Sequence, residues 1–132
     1  YRDCLPKTAW LPTFCRFSLP ERECVVVHAG YLEQFPTAGL TGKYTCVEDF
    51  YLRAREDAYL AGGIENGMIV AGHTPTLSKD YMMYNGGLVY QHYDPQKNCL
   101  YYDIDCGCSY RTVRANARLA CLCAETGAIY YL

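Results

Sequence analysis

Two stretches of one shape constrain this chain most: Val25-Val26-Val27-His28-Ala29-Gly30 and Met68-Ile69-Val70-Ala71-Gly72-His73-Thr74-Pro75-Thr76. Each is a continuous apolar run that reads as a buried strand and ends at a histidine beside glycine, which allows a sharp turn or the close approach of a ligand. In open α/β sheets ligands bind beyond the carboxyl ends of the strands, so two strand-terminal imidazoles mark a site.

The remaining features set bounds around that pair. The length of 132 residues and a hydrophobic content of 51% are those of one domain, residues 1–132, with a sizeable core. A net charge of −2 without a basic block speaks against nucleic acid and against a membrane surface as partners. No run approaches the roughly 18 apolar residues of a membrane span, and no secretory pattern opens the chain, so a soluble, cytoplasmic protein is expected. Nine cysteines are an odd number for a disulfide framework, and several lie in apolar runs where a thiol acts as a small hydrophobe. Reduced core thiols are the preferred reading. The alternative is a structural zinc held by Cys106, Cys108, Cys121 and Cys123, although i, i+2 cysteines also arise from ordinary strand alternation.

Residues 1–20, with Pro6, Pro12 and Pro20 and apolar residues such as Trp10 and Leu11 between them, read as a connector in which Pro12 to Ser18 has room for a short helix, followed by a strand from Cys24 to Val27. Residues 31–44 read as a flexible surface loop. Thr45-Cys46-Val47-Glu48 has the form of a capping box, and the stripe Phe50, Ala54, Ala58, Ala61 predicts one main helix that Gly62-Gly63 ends. Asp49 with Arg53, and Arg53 with Asp57, are spaced to pair on that helix. Hairpins follow: Tyr81 to Tyr84 with Leu88 to Tyr93, then Cys99 to Ile104, then Arg118 to Ala124 with Ala128 to Leu132. The sum is an α+β chain of six or seven strands. The fourteen tyrosines fall largely on those strands, where aromatics belong by packing alone.

With His-Ala-Gly at 28–30, Gly-His-Thr-Pro at 72–75, Ile104-Asp105-Cys106-Gly107 and a closing hairpin in order, the chain resembles the calcineurin-like metallophosphoesterases. Within them it is similar to the serine/threonine protein phosphatase and diadenosine tetraphosphatase branch. The resemblance covers about Leu19 to Leu132. It implies the C-terminal half of a metallophosphoesterase-type α/β/β/α sandwich and hydrolysis of phosphate esters at a dinuclear divalent metal site of manganese, iron or zinc. His28 and His73 match the family's metal-binding histidines. Arg55 matches the arginine that grips substrate phosphate, with Arg53 the fallback, and Asp105 matches a segment that supports the site from behind the ligands. A guanidinium fork suits phosphate because it binds two oxygens at once.

The family's Gly-Asp-x-His-Gly, Gly-Asp-x-x-Asp-Arg-Gly and Gly-Asn-His-Glu motifs, which bring the aspartates and the general acid, do not occur. At most two metal ligands are therefore present, and the opening on Tyr1 agrees with a longer parent. The resemblance implies a phosphorylated protein or small phosphoester as substrate, with weak metal binding and no useful turnover by the lone chain. Apolar faces left uncovered in half of a two-sheet fold imply a homodimer or association with the missing N-terminal half. Two other functions are compatible with the residues: a non-catalytic binding module of the same fold, and a structural domain with the cysteine zinc site. His92 reads as an ordinary packed or surface histidine.

Overall fold

The computed structural model describes residues 12–35 and 39–132. Trp10 and Leu11 of the expected connector, and Pro36 of the expected loop, lie outside the described residues. The chain is mixed α and β with strands dominant. β1 (Phe14–Ser18), β2 (Glu23–Val27), α1 (Val47–Arg53), α2 (Asp57–Leu60), β3 (Gly67–Ala71), β4 (Tyr90–Asp94) and β5 (Cys99–Asp103) precede a 3₁₀ turn at Cys108–Tyr110 and the strands β6 (Ala120–Leu122) and β7 (Ile129–Tyr131). The first five strands form one sheet in the order β1-β2-β3-β5-β4, and β6 and β7 form a separate hairpin.

The sheet is parallel at its centre and antiparallel at both edges. β2, β3 and β5 run parallel, with Val25 opposite Ile69 and Ile69 opposite Tyr101, while β1 and β4 are antiparallel to their neighbours. A parallel pair needs a crossover. Between β2 and β3 the crossover carries both helices. All five residues of β3 are buried, as expected of a central strand covered on both faces.

Strand alternation sorts the core into two layers. Val25, Val27, Ile69, Ala71 and Tyr101 face Phe50, Tyr51, Ala54, Ala58 and Tyr59 of the helical segment. Cys24, Met68, Val70 and Tyr102 face the other way, against Ala120, Leu122 and Ile129 of the β6–β7 hairpin. Phe17 and Val26 stay 38% and 40% exposed on that same face of the sheet.

Several sequence expectations are corrected here. The proposed helix over Pro12 to Ser18 is β1, because five residues pair antiparallel with β2 across a short turn, and that ladder outweighs a weak local helical preference. Tyr81 to Tyr84 is a pair of turns, not a strand; Tyr84 N–H donates to the Tyr81 carbonyl at 3.1 Å. Residues 31–44 are less loop-like than expected, since Tyr31, Leu32, Leu40 and Tyr44 are core residues.

The single main helix is two short ones. An uninterrupted helix would send the Arg55 N–H to the Tyr51 carbonyl. That carbonyl instead accepts the Ala29 N–H at 2.9 Å, and the chain turns extended at Ala54 before α2 begins. The capping box is also replaced. Glu48 makes no capping contact; Asp49 accepts both the Thr45 N–H, at 3.0 Å, and its hydroxyl, at 3.3 Å. Arg53 pairs with Asp49 as expected, but Asp57 pairs with Lys43 and accepts the Tyr44 hydroxyl instead.

Candidate functional site

β2 and β3 are adjacent and parallel, so the segments that leave their carboxyl ends emerge on the same edge of the sheet. His28 follows β2 directly, and its carbonyl accepts the Gly72 N–H at 2.9 Å, which extends the pairing past the strand ends. The imidazoles meet there, with His28 Nε2 3.0 Å from His73 Nδ1 and the rings inclined at 62°.

The sharp turn is made by the histidine and not by its glycine. Neither Gly30 nor Gly72 has a positive φ, whereas His73 sits at φ +72°. The Thr74 N–H closes onto the Gly72 carbonyl at 2.9 Å, forming a γ-turn of the rare positive-φ kind around His73. A non-glycine residue in such a conformation costs about 1–3 kcal/mol and persists where the surroundings hold it, commonly at functional sites. Gly30 serves packing instead: a Cβ there would lie 2.7 Å from the Phe50 ring, 2.9 Å from Ala54 and 3.0 Å from Ala58.

Burial lowers the pKa of His73, the neighbouring Arg55 and His28 lower it further, and Asp105 opposes them. The ring is therefore neutral at neutral pH, with a nitrogen lone pair available to an electrophile.

Arg55 reaches this edge because the helix breaks before it. Its Nη1 donates to Thr74 Oγ1 at 3.4 Å, and its guanidinium lies 4.4 Å from the centre of the Tyr81 ring. Arg53, the alternative, is held by Asp49 on an exposed surface. Thr74 is fully buried and positions Arg55; sequence reading passed over it although it stands inside the Gly-His-Thr-Pro motif.

Asp105 caps a turn, accepting the Gly107 N–H at 3.0 Å, and it also joins the loops after β3 and β5. Its carbonyl accepts the Thr76 N–H at 2.9 Å and the Thr76 hydroxyl at 3.2 Å. Behind it, Asp103 is fully buried, with Oδ1 accepting the Asp105 N–H at 2.9 Å and Oδ2 without a partner among the described residues.

Burial pushes the Asp103 carboxyl up to about 8, against the opposing hydrogen bond from Asp105. A carboxyl that keeps its proton only when folded stabilises the fold fully below its unfolded pKa near 3.9, and loses that contribution as pH rises to its folded value. Stability should therefore fall between about pH 4 and pH 8 from this group, and Asp103→Asn should flatten the decline. Urea unfolding of both proteins at the two ends of that window measures it; parallel declines would exclude Asp103 as the cause.

A cleft of about 700 Å³ opens beside His73 and Arg55, lined also by Lys79, Asp80, Tyr81, Tyr84, Tyr110 and Arg114. No local sequence pattern points to it. Tyr81 and Tyr84 were expected on a strand, and Tyr110 and Arg114 come from a loop more than twenty residues away in the chain. Leu77 packs 3.0 Å from where a Gly107 Cβ would lie, and Asn116 Nδ2 donates to the Gly86 carbonyl at 3.0 Å, so the two walls are pinned together.

Comparison of the chain with protein-family models, curated protein sequences and solved structures returned no match. The site is therefore judged on its own donor set. A metal–nitrogen bond near 2.1 Å puts two ligands at right angles about 3.0 Å apart, which the histidine nitrogens match. The same separation also serves a direct N–H···N hydrogen bond. Ligands of a tetrahedral ion would stand farther apart, about 3.4 Å, so the pair as it stands is a hydrogen-bonded contact that a tetrahedral metal would have to open slightly. Among the described residues no three His, Cys, Asp or Glu side chains gather as a metal-holding group.

The cysteines expected as alternative zinc ligands point to different places. Cys106 is buried in the core, where burial raises its pKa. Cys121 is exposed, and Cys123 Sγ lies 3.4 Å from Glu125. His92 packs on Tyr59, ring centres 4.7 Å apart, in the ordinary role expected of it. No helix among the described residues is long and apolar enough to cross a membrane.

Proposed function

We propose that this chain carries part of the active site of a metal-dependent phosphoesterase of the calcineurin-like, phosphoprotein phosphatase type. The observation that carries the reading is the meeting of His28 and His73 at 3.0 Å, on one edge of the sheet, with Arg55 beside them. His28 and His73 would hold a divalent ion, manganese, iron or zinc, which supplies Lewis acidity and a more acidic bound water when present.

The chain's own residues do the rest. Arg55, steadied by Thr74 and the Tyr81 face, offers its fork to phosphoryl oxygens and balances charge that builds there in the transition state. The γ-turn fixes the His73 ring, and Asp105 holds the neighbouring loop against Thr76. Two imidazoles fall short of the three protein ligands usual in a hydrolytic site. The remaining donors, among them those of a second metal, come from another segment or another chain, and the exposed Phe17 and Val26 suit such an association. The substrate is a phosphorylated protein or a small phosphoester, and the isolated chain has little turnover.

Titration with zinc, followed by the ring signals of His28, His73 and His92 in NMR spectra, tests the reading. The signals of His28 and His73 should move together toward a one-to-one end point while His92 stays put. Movement of His92 alone, or of none, would sink it.

A further inference from the structure

We infer that the cleft beside the histidine pair continues into a cationic track that docks an extended, acidic peptide segment. Lys79 and Arg114 line the cleft with Arg55, and Arg114 also lines a second depression of about 400 Å³ together with Arg111, Arg118 and Tyr131. Five cations thus line the two depressions, against the Asp80 side chain and the terminal residue Leu132, in a chain whose net charge is −2.

None of the five forms an ion pair among the described residues; of the five described cations elsewhere Arg16, Lys43 and Arg53 do, and Arg22 and Lys97 do not. Unpaired like charges in one place repel and tend to destabilise the compact state. A ligand of opposite charge removes that penalty and is drawn in by the field. The placement is also rigid, since the Leu77–Gly107 and Asn116–Gly86 contacts hold the Lys79 and Arg114 walls to each other.

A small molecule fills a pocket of about 300–1,000 Å³. Here two depressions joined at Arg114 exceed the need of a single phosphoryl group and suit a chain laid along them. Nucleic acid fits less well, because single strands are held by bases stacked on free aromatic faces. Tyr81, Tyr84 and Tyr131 each carry a cation against the ring, Arg55 at 4.4 Å, Lys79 at 5.8 Å and Arg118 at 5.5 Å, which leaves Tyr110 as the one lining tyrosine without a cation on it. Carboxylates of Asp and Glu, spaced along an extended backbone, match guanidinium groups spaced along a loop. That this segment flanks the phosphorylated residue rests on the phosphoesterase reading; the docking track itself does not.

The test is fluorescence anisotropy of a labelled oligo-glutamate peptide with the full chain, in EDTA. Binding should weaken with added salt and fall about tenfold in Lys79→Ala/Arg114→Ala, whose circular dichroism should match the parent because both side chains are solvent-facing. An unchanged affinity in that variant, or equal binding of an uncharged peptide of the same length, would overturn the inference. So would stronger competition by tripolyphosphate or a short oligonucleotide than by unlabelled peptide. Because metal is absent from the measurement, a failed zinc titration with intact peptide binding removes the phosphoesterase reading alone.

Discussion

His73→Ala is expected to lower the affinity of the chain for zinc by about a hundredfold or more, since residues that merely orient a ligand already cost 10–100-fold. Losing one of two imidazoles leaves a single donor, and a lone histidine holds a metal no better than free imidazole in water. The fold should survive, because His73 is partly exposed and its backbone bonds, from Thr74 to the Gly72 carbonyl and from Gly72 to His28, do not involve the side chain. Alanine at φ +72° keeps the backbone cost that histidine already bears, so the stability change should be small. Calorimetric zinc titration of both proteins, with thermal unfolding in EDTA, separates the two effects. Equal zinc affinity would remove His73 from the site; loss of folding would show that the ring is a structural prop.

Gly30→Val should be the most destabilising single change near the site. Its Cβ alone would come within 3.0 Å of Phe50, Ala54 and Ala58, residues fully or almost fully buried, and two further methyl groups have nowhere to go. Overpacking of this kind costs about 3 kcal/mol. In a chain of this size that lowers the unfolding temperature by about 10 °C. The change would also push away the helical segment that delivers Arg55, so peptide and phosphate binding should suffer together with stability. Gly72→Ala provides the contrast: the nearest atom to its new Cβ is 3.7 Å away and its φ is not positive, so ordinary contact replaces a clash. A loss at Gly72 equal to that at Gly30 would contradict this account of why each glycine stands beside its histidine.

The strands that carry the histidines were legible from their continuous apolar runs: Met68 to Ala71 is buried on both faces, whereas Val25 to Val27 carries such a run although Val26 stays 40% exposed. The closing hairpin was legible from its turn, although both of its strands proved shorter than expected. What misled was local pattern read without its neighbours. The stripe Phe50, Ala54, Ala58 does face the core, but one carbonyl given to Ala29 splits the helix beneath it. Phe14 to Ser18 carries no strong strand signal and becomes a strand because β2 offers an unpaired edge.

The sequence by itself determined the two buried strands, the histidines at their ends and the α+β character, since these depend on residue type and on spacing along the chain. Only the tertiary structure decided that the imidazoles meet, that His73 rather than glycine makes the turn, and that Arg55 leaves its helix to join them. It alone assembled the cleft, where tyrosines and cations distant in the chain line common walls. The physical reason is the same in each case: hydrophobic periodicity is written along the chain, whereas the destination of a single carbonyl or guanidinium depends on partners that only folding brings near.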